Sequence, residues 1–184
     1  MKDTEQDIID SAILIFNEDL SAPLEKVAEQ AQTTRRTLHR YFKDRKELMD
    51  SCQKEVRKTC HAAMLKAYNS SDDPMEKLER MFYAGVDCGT KHSFLHKLHT
   101  MHDHSHQAGN EECSGYDNTF HVWKSHLQYL LETGKINPVL TLDWIHHLHH
   151  GIVAASIATQ TARKMPDAEL KKLAWVSFSR AISI

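Results

Sequence analysis

Apolar residues recur at helical spacing along most of the chain. In the first twenty positions Ile8, Ile9, Ala12, Ile13 and Phe16 fall on one side and Asp7, Asp10 and Glu18 on the other. This pattern predicts an amphipathic helix of about four turns. Acidic residues crowd its first turn, where the helix dipole favours them, and Leu20-Ser21-Ala22-Pro23 breaks it. A second helix of about two turns, from Leu24 to Ala31, turns Leu24, Val27, Ala28 and Ala31 inward, with Pro23 suited to its first turn. After Gln32-Thr33-Thr34, either threonine can cap a third helix by accepting an unpaired backbone N–H, and Leu38 and Phe42 form that helix's inner edge. A longer helix follows, from about Glu47 to Tyr68, with Met49, Cys52, Val56, Cys60, Ala63, Met64 and Ala67 on its apolar side.

The run Asn69 to Pro74 ends that helix and opens another, carrying Met75, Leu78, Phe82 and Val86 past Gly85 and Gly89 towards His99. A polar break from Gln107 to Gly115 precedes a helix from Tyr116 to Glu132, stopped by Thr133-Gly134-Lys135. Two final helices span residues 142–163 and 167–183. In the first, Leu142, Ile145, Leu148, Ile152 and Val153 stand beside small Ala154, Ala155, Ser156 and Ala158, which permit close helix approach. In the second, Leu170, Leu173, Ala174, Ser177, Phe178, Ala181 and Ile182 make a continuous stripe. Such a pair can form half of a four-helix bundle with a symmetry mate.

Composition agrees with an all-α fold. Of 184 residues 41% are hydrophobic, enough for a core, and only 6 are glycine and 4 proline. No apolar run reaches the roughly 20 residues that span a bilayer. Cys52, Cys60, Cys88 and Cys113 stand too far apart for a CxxC motif and no secretory leader opens the chain, so the cytoplasm is the expected compartment. The net charge of −2 excludes a uniformly basic chain, so any nucleic-acid site must be local. Such a locality exists. Residues 1–30 carry two bases and eight acids, whereas residues 33–46 carry Arg35, Arg36, Arg40, Lys43, Arg45 and Lys46 against Asp44 alone. Two short helices joined by about three residues, the second basic on its outer face, form the pattern of a helix-turn-helix.

The residues Ile9, Ala12, Phe16, Val27-Ala28, Ala31 and Thr34-x-x-Thr37-Leu38-His39-Arg40-Tyr41-Phe42-Lys43-Asp44-Arg45-Lys46-Glu47-Leu48 resemble the N-terminal domain of TetR-family transcriptional regulators. The resemblance implies a three-helix DNA-binding domain, residues 1–47, joined by a long helix to an effector-binding and dimerisation domain, residues 48–184, with about nine helices in all. It implies a homodimer that pairs through its last two helices, binds a near-palindromic double-stranded operator, acts as a repressor and is released by a small effector. By the resemblance Thr34, Thr37, His39, Tyr41, Lys43 and Arg45 touch the DNA backbone. Arg35, Arg36 and Arg40 are the expected groove residues, because the arginine fork pairs with guanine acceptors. The sequence departs from the family pattern where Asp19 and Gln32 replace glycines and His39 replaces a tyrosine.

Fourteen histidines are the remaining chemistry. His92, His96 and His99 share one helical face, within an arc of roughly 60°, and are candidate ligands for zinc or nickel. His92 and His99 stand about 10.5 Å apart along the axis, so one ion would take a pair plus a ligand from elsewhere: His121, His126, Glu111, Glu112 or Cys113. Asp103 and His106 extend that face if the helix persists. His146, His147, His149 and His150 offer a second i, i+4 pair, on the expected dimer helix, where interface packing is the plainer reading. Phe82, Tyr83, His96, His99, Trp123 and His126 are the expected effector pocket, as aromatic walls with a few polar groups suit such a cavity. No cofactor is required by this scheme. No ExxH pair, GxSxG or P-loop pattern supports an enzyme. A metal-responsive regulator and a helical adaptor that no longer binds DNA are the alternatives.

Overall fold

The structure is a computed structural model that describes residues 3–99, 111–162 and 165–184, without the side chains of Thr90, His92, His99 and residues 111–119. The expectations placed on Asp103, His106, Glu111, Glu112, Cys113 and the side chains of His92 and His99 therefore lie outside the described residues. Among the described residues the chain is all-helical. Its elements are α1 (Thr4–Glu18), α2 (Leu24–Gln30), α3 (Arg35–Tyr41), α4 (Arg45–Tyr68), α5 (Pro74–His99), α6 (Glu111–Glu132), α7 (Leu142–Thr161) and α8 (Asp167–Ile182). Helix α5 bends at Gly89, whose φ of 23° and ψ of −96° leave the helical region, so it acts as two segments. Helix α6 begins at Glu111, earlier than Tyr116, because Gly115 is carried inside the helix and does not break it.

Local signals account for most boundaries. Asp3 caps α1 by accepting from the N–H groups of Glu5 and Gln6, Thr34 caps α3 by accepting from Thr37, and Asp44 caps α4 by accepting from Glu47. The first helix has no basic residue in its last turn. Lys97, far along the chain on α5, supplies one, its Nζ donating to the Asn17 carbonyl at 2.9 Å.

Two apolar cores lie along the molecule. The first gathers α1 to α3, the start of α4, and Phe94, Leu95 and Phe120 from α5 and α6. The second gathers Met64, Leu78, Met81, Phe82, Val86, Trp123, Leu127, Leu130, Ile145, Val153, Ala174, Phe178 and Ile182. Helix α4 enters both. Its buried residues, Leu48, Cys52, Val56, Cys60 and Met64, repeat every four positions. Each step advances about 40° around a helix of 3.6 residues per turn, so the stripe winds from one core to the other.

In the second core His149 is a packing residue. It is 1% exposed, with its ring centroid 4.6 Å from that of Trp123 and 5.4 Å from that of Phe82. Burial pushes its pKa down to about 3, so the ring is neutral at pH 7. Gly85 on α5 makes room for it, since a β-carbon there would lie 2.7 Å from the His149 Nε2. Helix propensity favours alanine over glycine by about 1 kcal/mol, whereas overpacking costs about 1–3 kcal/mol. The Gly85→Ala protein is expected to be less stable by about 1 kcal/mol, read as an earlier midpoint in urea unfolding; an unchanged or later midpoint would contradict this packing.

Candidate nucleic-acid interface and histidine centre

Helix α3 has seven residues and buries only Leu38, with Phe42 sealing its end. An isolated helix this short does not persist in water, so its position depends on those two anchors, worth about 1.5–3 kcal/mol each. The other side chains are left for the outer face. Arg35, Arg36, His39 and Arg40 are exposed and Thr37 and Tyr41 are half-buried.

These residues are not equivalent. Arg35 turns back towards α2, pairing with Glu25 at 2.5 Å, and its Nε donates to the His39 Nε2 at 3.4 Å. That bond requires the His39 proton on Nδ1. Both members of the Arg35–Glu25 pair are more than half exposed, so it contributes little and yields readily to a competing phosphate. The Arg40 guanidinium lies 5.1 Å from the Tyr41 ring centroid, held by the cation–π attraction on the outer side of the helix. Thr34 is occupied as the helix cap, and its Oγ1 lies 3.0 Å from that of Thr37. Lys43 is exposed. Arg45, expected at the DNA backbone, is drawn inward. Its guanidinium donates to the carbonyls of Ala22, at 2.6 Å, and Leu20, and lies 4.4 Å from the Phe16 ring centroid. It clamps the loop between α1 and α2. Arg36 and Arg40 are thus the groove candidates that the fold leaves facing outward.

The two glycine replacements differ in consequence. Asp19 is extended, with φ of −140°, and its carboxylate accepts from Ser21 N and Oγ, so nothing there asks for glycine. Gln32 has φ of 52°, the left-handed conformation that turns α2 into α3. The turn closes by Thr33 N donating to Ala28 O at 2.9 Å.

The five expected effector residues whose side chains are described, Phe82, Tyr83, His96, Trp123 and His126, do not share one cavity. Phe82 and Trp123 are fully buried in the second core, with Phe82 stacked on Phe178 at 4.9 Å. Tyr83 lies on the flank of α5 and donates to Glu79 at 2.8 Å. His96 packs against α7, and the His99 side chain is outside the described residues. His126 faces a cleft of about 450 Å³, walled by Leu65, Tyr68, Lys77, Val122 and Tyr129, whereas Tyr83 borders two others, of about 430 and 510 Å³, that His126 does not line. The His126 Nε2 donates to the Pro74 carbonyl at 2.8 Å, and burial lowers its pKa. This cleft between α4, α5 and α6 fits a small organic molecule in size and aromatic lining. Tyr68 and Tyr129 escaped the sequence reading because each looks like an ordinary helix-surface residue until α6 packs beside α4.

The histidines regroup across helices. His96 meets His146 and His150 of α7, one ligand nitrogen from each lying within 4.8 Å of the others. His146 and His150 are buried inside the protomer and not on the outward face of α7. The same packing brings together two cysteines that sequence spacing kept apart. Cys60 of α4 and Cys88 of α5 share a side-chain hydrogen bond, which pushes the first thiol's pKa up and the second's down.

No family model matches the chain, and no curated protein matches it by sequence. Solved structures do. The TetR-like transcriptional regulator LfrR from Mycobacterium smegmatis, in complex with proflavine, superposes with a TM-score of 0.71 at 20% identity, covering 98% of this chain and 97% of that one. A TetR family transcription regulator from Marinobacter aquaeolei gives 0.69 at 16% identity, covering 97% and 95%. The ketosteroid transcriptional regulator KstR2 of Mycobacterium tuberculosis gives 0.69 at 14%, covering 100% and 97%. The chain therefore has the fold of the TetR-like transcriptional regulators over its whole length.

A left-handed residue with a side chain costs about 1–2 kcal/mol, and glycine returns part of that as backbone entropy. Gln32→Gly is expected to stabilise the protein by about 0.5–1 kcal/mol, measured by urea unfolding, and a destabilised variant would show that the Gln32 side chain itself holds the turn.

Proposed function

We propose that the chain is a ligand-responsive transcriptional regulator, acting as a repressor, whose residues 1–47 bind an operator and whose residues 48–184 bind an effector and dimerise. The observation that carries this reading is the outward pair Arg36 and Arg40, one turn apart on the second helix of the helix-turn-helix, in a segment with a local positive charge. Arginine in that position can pair with guanine in the major groove, while Thr34, Thr37, His39, Tyr41 and Lys43 serve the phosphates. The acidic α1 stands apart from this surface and opposes nonspecific adhesion elsewhere on the molecule.

Dimerisation runs through α7 and α8 in this proposal. Ile145, Val153, Leu170, Ala174, Phe178 and Ile182 are used within the protomer. The opposite faces keep Gly151, Ala154, Ala155 and Ala158 on α7 and Leu173, Val176 and Ala181 on α8 exposed. Small residues allow close approach and Leu173 and Val176 supply apolar area, the combination a helical bundle with a symmetry mate requires. A dimer with recognition helices about 34–36 Å apart would read successive major grooves. A small molecule in the cleft beside His126 would release DNA by preferring a conformation with a different spacing. That the related LfrR structure holds proflavine supports a small-molecule role for this body of the fold.

With a duplex from the gene's own upstream region, Arg36→Ala and Arg40→Ala are each expected to weaken binding by about 5- to 100-fold while the protein remains dimeric. Binding should also fall steeply with added salt. Wild-type affinity in both variants would remove the recognition assignment. Replacing Leu173 and Val176 together by glutamate is expected to yield a folded monomer in light scattering that has lost tight operator binding; a persistent dimer would move the interface elsewhere.

A further inference from the structure

We propose that His96, His146 and His150 form a binding site for a divalent transition-metal ion of the zinc class, supplying three imidazole ligands from the described residues. The site joins the second segment of α5 to α7. It stands apart from the cleft at His126 and does not rest on the DNA-binding reading.

The nitrogens are already close together, and the rings must turn to aim their lone pairs at one ion. One turn of α7 places His146 and His150 side by side, their Nε2 atoms 3.0 Å apart. The His96 ring crosses from α5 and lies on that of His150, with centroids 3.7 Å apart and planes inclined by 17°. Nitrogen ligands about 2.0–2.1 Å from a tetrahedral zinc are about 3.3–3.4 Å from each other, so the α7 pair already has close to the required spacing. The third nitrogen, within 4.8 Å of the others, needs a displacement on the order of 1 Å together with a turn of the His96 ring off the face of His150.

The chemistry suits the same class of ion. Burial first, with neighbouring histidines and Lys124 adding to it, holds His146 down to about 3, and burial with His147 holds His96 down to about 4. A neutral imidazole offers one lone pair, and the Nε2–Nε2 hydrogen bond of the α7 pair holds a proton that moves to the other nitrogen of its ring when an ion binds. Imidazole alone selects borderline ions such as zinc, nickel or cobalt over calcium and magnesium, which take oxygen. Phe120 packs beside the pair, 5.6 Å from His146 and 6.0 Å from His150 between centroids, with the Lys124 ammonium within electrostatic reach of His146. Carbon side chains would pack there without the desolvation cost that three imidazoles incur. His147, exposed and 6.1 Å from His96 between centroids, borders the cluster without joining it.

A bound ion would fix a structurally connected segment. Phe94 and Leu95, beside His96, are buried in the first core, Lys97 binds the C-terminus of α1, and Lys91 pairs with Asp10 at 3.5 Å. A tie at His96 therefore restrains the part of α5 on which α1 rests.

The test uses the full chain stripped of metal by chelation, without DNA. Zinc is titrated in competition with a chromophoric chelator, and cobalt is followed by its visible absorption. One tight ion per chain is expected, with cobalt giving the intense bands of a four-coordinate, nitrogen-rich site. His96→Gln, His146→Gln and His150→Gln should each weaken binding at least about 10-fold, and His92→Gln, His99→Gln and His147→Gln by less than about 3-fold. Failure to retain zinc, or affinity that ignores the three substitutions or follows His92 and His99 instead, would overturn the proposal. Should a variant not fold, the wild-type melting temperature decides: it must rise with zinc and not with magnesium, and no zinc-specific rise would count against the site.

Discussion

The arrangement of this molecule depends on helices that belong to both cores: α4, α5 and α6, the last through Phe120 in the first and Trp123 in the second. Helix α4 winds its buried stripe from Leu48 in the first core to Met64 in the second, and α5 does the same across its bend, with Phe82 and Val86 on one side of Gly89 and Phe94 and Leu95 on the other. A helix held in two cores cannot shift in one without disturbing the other, because close-packed interiors move between discrete arrangements. The helix-turn-helix is thus not a separate bead on a linker. Helix α1, against which it packs, sits on the far segment of α5, bound there by Lys97 and Lys91.

Around that frame, the recognition helix is held by little. Leu38 and Phe42 anchor it from below, Arg45 clamps the preceding loop through two carbonyls and the Phe16 ring, and Gln32 bears a left-handed turn. A short helix on few anchors leaves most of its side chains outside. The basic residues accordingly fall into separate roles. Arg45 is structural, Arg35 rests against Glu25, and Arg36 and Arg40 are left outward.

The histidines divide in the same manner. His149 fills the second core beneath Gly85, His126 borders the cleft between α4, α5 and α6, and His96, His146 and His150 converge between α5 and α7. Five of the fourteen histidines thus separate into packing, cleft and cluster once the helices are placed. The expectation that the α7 histidines lie at a dimer interface gives way for His146, His149 and His150, which are buried against their own protomer.

Helical periodicity marked the elements, local residue types offered Thr33 or Thr34 as the cap of the third helix and showed the charge contrast between residues 1–30 and 33–46, and the resemblance marked Gln32 as standing where a glycine is usual. A single helix's spacing also defines which of its residues share a face, which is why Arg36 and Arg40 were legible together. It does not define what that face meets. His92, His96 and His99 are near in sequence, yet His96 finds its partners some fifty residues away, Phe82 and Trp123 close a core and not a pocket, and Arg45 bends inward to a loop. Those outcomes depend on the crossing angle and axial stagger of helix pairs, quantities set by the sum of many apolar contacts across both cores and by the bend at Gly89, and only the tertiary structure decided them.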